Sequence, residues 1–318
     1  MMLGLTGELA WWAQHEGSYE QAARILCNKI GIKVSDEFAM EVGQLVLEDN
    51  TKKALDTEPL NAETLPQATK EGILYVTLDG SFIRTREKNG DGSSAWKEVK
   101  LGMVFSDNDM KVKSDGKKHY ITKKAYAVST EDHEEFSKYL NETAVSCGYG
   151  KYEKTIVISD GATWIRNRCK EVFPDGLQIL DFYHLCEHVN DAGKVLFNND
   201  PKKYEPWADN IVSLLRQSET SHVLDLLSND AKTHNCIEKL CNYITNNIDK
   251  VDYAAYESAG YLIGSGSIES ANKVVVQQRC KRTGQRWNVP TAQLMLSLRA
   301  VEESGKWPCL IPNLLAAA

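Results

Sequence analysis

Between residues 72 and 180 the chain passes through β-rich runs and helical periods in an order that few architectures accommodate. Residues 73–78, 98–105 and 119–128 are rich in β-branched and aromatic side chains. The sequences between them, Asn89-Gly90-Asp91-Gly92 and Asp115-Gly116, suit hairpin turns. They predict three consecutive antiparallel strands. A helical period over residues 131–147 follows, then a buried strand at 155–159, a helix at 163–172, a short strand at 178–180 and a helix from about His184. A meander followed by crossovers of parallel type predicts an α/β fold with a mixed sheet. Ahead of it, residues 1–68 read as an N-terminal helical domain and linker. Ser18-Tyr19-Glu20-Gln21 has capping-box spacing, and the turn at Gly31-Ile32-Lys33 admits either a helix-turn-helix or a plain helical hairpin. The sheet-bearing core is expected over 69–199, a helical insertion over 200–262, the core's C-terminal helices over 263–304 and a tail over 305–318.

Composition excludes other classes. The 318 residues are 42% hydrophobic and 25% charged, as in an ordinary globular protein. No apolar run approaches the roughly 18 residues of a membrane span, and the first twelve residues carry no Lys or Arg, so no signal peptide is expected. Eight cysteines without a Cys-x-x-Cys pair argue against a disulfide framework, and the expected location is cytoplasmic. The net charge of −7 speaks against a nucleic-acid partner, but its distribution does not. Residues 1–79 carry −7 and 129–262 carry −9, whereas 80–128 and 263–300 carry +5 each. Local patches, rather than totals, set the field at a binding surface.

Three acids stand where chemistry is plausible. Asp79 follows the strand Ile73-Leu74-Tyr75-Val76-Thr77-Leu78, and Asp160 follows Ile156-Val157-Ile158-Ser159; each precedes a glycine. An acid at the carboxyl end of a buried strand lies where open α/β sheets bind ligands. Asp-Gly is also a common turn, and each dipeptide alone would read so. Glu269 sits in Gly264-Ser265-Gly266-Ser267-Ile268-Glu269, behind Ser267 as a plausible N-cap, where the helix dipole alone would favour an acid. Downstream come Lys273, Arg279, Lys281, Arg282 and Arg286, suited to gripping phosphate, or to a solvated face. Trp164 and Trp287 either stack on an unpaired base or belong to the core. Three carboxylates on one sheet edge would bind two Mg²⁺ or Mn²⁺ ions, the arrangement that serves in-line phosphoryl displacement in nucleases, integrases and transposases of ribonuclease-H-like fold.

The sequence resembles bacterial Asp-Asp-Glu insertion-sequence transposases of the ISKra family, relatives of the Mutator-like superfamily, over about residues 5–303. The resemblance rests on Ile263-Gly264-Ser265-Gly266-Ser267-Ile268-Glu269 and its continuation through Lys273, Arg279, Lys281, Gly284 and Trp287 to Leu298-Arg299-Ala300. Ser159-Asp160-Gly161-Ala162-Thr163-Trp164-Ile165, Phe173-Pro174 and Ile179-Leu180-Asp181-Phe182-Tyr183-His184 also carry it. It implies a ribonuclease-H-like (integrase-type) catalytic core, with Asp79, Asp160 and Glu269 as the triad and Asp181 and His184 beside it. It implies double-stranded DNA as partner (element ends and target), a homodimer or larger assembly on DNA, and a nucleoid-associated location. Members usually carry a further N-terminal stretch, often with cysteines, so a truncated copy is one expectation. The alternatives are an inactive or domesticated DNA-binding module, or a structure-selective nuclease.

Other signals carry less. His184 and His188 at i, i+4, with Cys186 and Asp181 nearby, form only part of a zinc set, as do His234, Cys236 and Cys241. Gly264-x-Gly266 lacks the third glycine of a dinucleotide loop, and there is no P-loop.

Overall fold

The structure is a computed structural model that describes residues 11–16, 19–30, 36–60, 65–112 and 119–306. In chain order the elements are helices α1 (Tyr19–Ile30) and α2 (Asp36–Asp56), strands β1 (Lys70–Lys88), β2 (Ser94–Ser106), β3 (Met110–Val112), β4 (His119–Ile121) and β5 (Ala125–Ser129), helix α3 (His133–Cys147), strand β6 (Tyr152–Ser159), helix α4 (Thr163–Val172) and strand β7 (Leu177–Leu180). Helices α5 (Phe182–Leu196), α6 (Pro201–Arg216), α7 (Thr220–Ala231), α8 (Asn235–Asn246) and α9 (Tyr253–Ser258) follow. Then come α10 (Gly266–Ala271), a π-helical segment (Asn272–Gln277), α11 (Gln278–Cys280) and α12 (Val289–Glu303).

Five strands form one mixed sheet in the order β5-β2-β1-β6-β7, and β3 pairs with β4 separately. The pairs β1–β2 and β2–β5 are antiparallel, and β6–β7 is parallel. The expected meander with crossovers is therefore present as a mixed α/β sheet. The chain divides into two compact units. The first comprises Met1–Thr155, Arg168–Gly176 and Ser267–Ala318; the second comprises Ile156–Asn167 and Leu177–Gly266.

The first unit is built on β1. Leu74, Tyr75, Val76, Thr77 and Leu78 are buried in succession, the signature of a strand covered on both faces. Each such large apolar side chain contributes roughly 1.5–3 kcal/mol. The sequence places Asp79 at the end of this strand, but β1 continues to Lys88, pairing from Leu74↔Ser106 through Asp79↔Leu101 to Lys88↔Ser94. What ends near Asp79 is the two-sided burial. From Ser81 the pattern alternates, with Ser81, Ile83 and Thr85 buried and Phe82, Arg84 and Arg86 exposed. The turn at Asn89–Ser93 closes the hairpin as expected, with Gly92 at φ 81° and the Asn89 N–H donating to Ser93 O.

Gly102 on β2 lets α3 approach closely: a Cβ there would lie 2.6 Å from Leu140 Cδ1. Gln293 of α12 accepts hydrogen bonds from both the backbone N–H and the hydroxyl of Thr130, just past β5. Three expectations need correction. The polar stretch from Thr51, which suggests the start of the linker, is helical as far as Asp56 and belongs to α2. The run at 119–128 splits into β4 and β5, because Thr122 donates to Asp109 O and folds β4 onto β3. Ser267 lies inside α10 rather than capping it. The turn at residues 31–35, on which a helix-turn-helix depends, lies outside the described residues.

In the second unit β6 and β7 pair from Ile156↔Leu177 to Ser159↔Leu180. Helix α5 packs on α6 and α8, α7 packs on both α6 and α8, and α9 packs on α6. Val223, Leu227, Ile237, Leu240 and Ile244 are buried between these helices.

Candidate active site

Asp79 sits in the first unit with both carboxylate oxygens engaged. Oδ1 accepts from the Gly80 N–H at 2.7 Å, and Oδ2 accepts from the side-chain amide of Asn272. Asn272 is only 4% exposed, and among the described residues its amide oxygen has no hydrogen-bond partner. Glu269 is exposed and precedes Asn272 by three residues on one helix, a spacing that puts both on one face. Asn272 also opens the π-helical segment, a local widening that recurs at functional sites. Glu269 stands out in the sequence and Asn272 does not, although the Glu-x-x-Asn spacing is a signal that could have found it.

In the second unit, Asp160 directly follows β6, as expected. Its Oδ1 accepts from the Ala162 N–H at 3.0 Å, and its carbonyl accepts from the Tyr243 hydroxyl at 2.6 Å. Gly161 takes φ 79°, and a Cβ there would meet Leu180 Cδ1 at 2.6 Å, so the turn after Asp160 needs glycine. Burial, followed by the charges of Asp160 and Asp181, pushes the Tyr243 phenol well above its ordinary pKa, so the hydroxyl stays protonated as a donor. Tyr243 lies on α8, 83 residues away, and no local pattern announces it.

Asp181 is buried and caps α5. Its Oδ1 accepts from the Tyr183 and His184 N–H groups, and its Oδ2 from the backbone N–H and hydroxyl of Ser265. With those contacts it fastens the loop ahead of α10 to the start of α5. His184 faces Glu187 at 3.4 Å and stands edge-on to His188, with 4.8 Å between ring centres. His188 lies over Tyr243, with 4.2 Å between ring centres. Partial burial, with His184 beside it, holds the His188 pKa below its usual value.

The basic residues separate into two groups. Lys273, Lys281, Arg282 and Arg286 are exposed. Arg279 is 1% exposed; its Nε donates to Ala13 O and its guanidinium lies 4.9 Å from the centre of the Trp287 ring. Trp287 is itself buried, its indole N–H donating to Cys280 O. A guanidinium and an indole so enclosed cannot reach a phosphate or an unpaired base. The expectation that Arg279 and Trp287 contact DNA is therefore corrected: they build the core.

Among the described residues, no group of three or more His, Cys, Asp or Glu side chains forms a cluster that could hold a metal ion. The donor types in the first unit nevertheless fit a hard cation: carboxylate oxygens at Asp79 and Glu269, and the unmatched amide oxygen of Asn272. No helix among the described residues is long and apolar enough to cross a membrane.

Residues 6–308 match the uncharacterised protein family UPF0236, and the chain belongs to that family. No curated protein matches it. Among solved structures it is similar to the Drosophila P element transposase strand transfer complex, at 11% identity and a TM-score of 0.29. The match covers 97% of this chain and 81% of that one. At that score the likeness is too faint to define a fold.

Proposed function

We propose that the protein is a DNA transposase of the Asp-Asp-Glu type, on a ribonuclease-H-like core and related to the ISKra insertion-sequence family. Such an enzyme cuts phosphodiester bonds and joins the freed ends to target DNA. The observation that carries the reading is the grip of Asn272 on Asp79. Asn272, one helical turn beyond Glu269, donates to the carboxylate of Asp79, 193 positions away in the chain. The antiparallel meander followed by the parallel pair β6–β7, with Asp160 directly after β6, supports it as well.

In this reading Asp79, Asp160 and Glu269 hold two Mg²⁺ or Mn²⁺ ions, which supply Lewis-acid stabilisation of the attacking and leaving oxygens. Asn272 orients the Asp79 carboxylate, and Tyr243 fixes the backbone at Asp160. Asp181 and the Gly264-Ser265-Gly266 loop set the start of the helix that carries Glu269. Lys273, Lys281, Arg282 and Arg286 hold backbone phosphates of double-stranded DNA, and pairing of two element ends calls for a dimer or larger assembly.

The test is cleavage of double-stranded DNA with Mn²⁺ by the wild type and by Asp79→Ala and Glu269→Ala. Each variant should keep DNA binding and lose about 10²-fold or more in cleavage rate. Wild-type rates in either variant would reject the assignment. Cleavage without joining to a second DNA would mark a nuclease instead.

A further inference from the structure

The geometry points to a second nucleic-acid surface, on the β1–β2 hairpin beyond Asp79, that binds unpaired bases of a DNA strand. Strand β5 covers β2 only from Lys100 to Val104, so the hairpin runs on past it as a two-stranded arm. One face of the arm buries Ser81, Ile83 and Thr85. The other presents Phe82 at 53% exposure and Trp96 at 60%, interleaved with exposed Arg84, Arg86 and Lys88. Two large aromatics left in water on one face of a hairpin need an occupant.

Charge says which. Arg84 pairs with Trp96 across the strands, its guanidinium 5.9 Å from the centre of the indole ring. Glu98 pairs with Phe82 on the same face and is matched by Lys100 at 3.2 Å, leaving the face positive. The edge of β1 adds more. The Trp287 N–H donates to Arg84 O at 2.9 Å, the Arg86 N–H donates to Trp287 O at 2.8 Å, and Arg86 Nε donates to Arg286 O. The two basic islands, some 200 residues apart in the chain, thus meet along this edge, and exposed Arg286 joins the cations of the arm. In a chain of net charge −7, a positive face with open aromatic rings fits a polyanion whose own rings are available for stacking. Bases in a paired duplex are covered, and unpaired bases are not. Arg84, Lys88 and Arg286 would take the phosphates; Phe82 and Trp96 would take the bases.

The inference rests on the proposed function only for the polymer being DNA. Its test is fluorescence anisotropy of the full chain with a single-stranded oligonucleotide and with a blunt duplex of the same length. Phe82→Ala/Trp96→Ala should weaken single-strand binding about tenfold or more and leave the duplex nearly unaffected. Trp96→Tyr should keep most of the affinity. Arg84→Ala should lower the salt dependence of single-strand binding by about 0.7 in log–log slope. All three residues are exposed, so the variants should fold as the wild type does, checked by circular dichroism. Single-strand binding unchanged in the double aromatic variant would overturn the proposal. So would an equal loss on the blunt duplex, or a loss of self-association in its place, which would assign the face to a second copy of the chain. Asp79→Ala, whose side chain is outside this aromatic face, should bind single strands normally. Failure of cleavage in every protein, with arm binding intact, would remove the catalytic reading and leave this one standing.

Discussion

At the scale of single residues, the main lesson is that a basic residue type does not reveal its job. Arg279 and Lys281 stand two positions apart in the same basic run. One is sealed against Trp287 and Ala13, the other is in solvent. Arg279→Ala should destabilise the protein by about 2–4 kcal/mol, because it opens a cavity and orphans the groups it holds. Lys281→Ala should stay within about 0.5 kcal/mol and weaken DNA binding instead. Urea denaturation of the two variants separates these roles; equal stabilities would contradict the assignment. As candidates, the carboxylates were legible in the sequence because Asp160 follows a buried strand, Asp79 ends the doubly buried stretch of β1 and Glu269 lies in the first turn of a helix. Their partners were not. Asn272 is a polar residue on a half-buried helix, and Tyr243 reaches Asp160 from a helix 83 residues on. Local periodicity shows that a position faces inward, but not which carboxylate it meets there.

At the scale of elements, strands and helices were mostly legible where burial is uniform and least so where one face turns to water. The apolar run at residues 73–78 announces β1, but its continuation alternates Ser81, Ile83 and Thr85 with Phe82, Arg84 and Arg86, and the arginines disguise it as loop. The split of the third β-rich run depends on a bond from Thr122 to Asp109, which no propensity encodes. The π-helical segment at Asn272–Gln277 is likewise invisible in helical periodicity. Packing between elements also sets a pH response. His188 on α5 lies over Tyr243 of α8, and burial with His184 beside it lowers its pKa; burial, then Lys100, lowers that of His133 at the start of α3. A histidine with a depressed pKa in the fold takes its proton more readily when unfolded. The stability it confers is present above its unfolded pKa of about 6.5 and is lost as pH falls from there through the folded value. The melting temperature should therefore drop on acidification below about pH 6.5. His188→Gln should flatten that fall without abolishing it, since His133 remains. An identical pH profile in the variant would show that the α5–α8 contact does not feel the proton.

At the scale of the whole molecule, net charge misleads and topology informs. A total of −7 conceals two basic islands that the fold brings together along the edge of β1, through the hydrogen bonds between Arg84, Arg86 and Trp287. That meeting joins the basic run after Glu269 to the exposed arm, and it was not readable from segment charges alone. The central claim is that Asp79, Asp160 and Glu269 share divalent cations. The direct measurement is anomalous scattering from Mn²⁺ in crystals of the full chain bound to a DNA end. The account predicts manganese within about 2.0–2.6 Å of oxygens from all three carboxylates, the range of hard-cation oxygen ligation. Manganese bound elsewhere, or held by Asp79 and Glu269 with Asp160 out of reach, would contradict it.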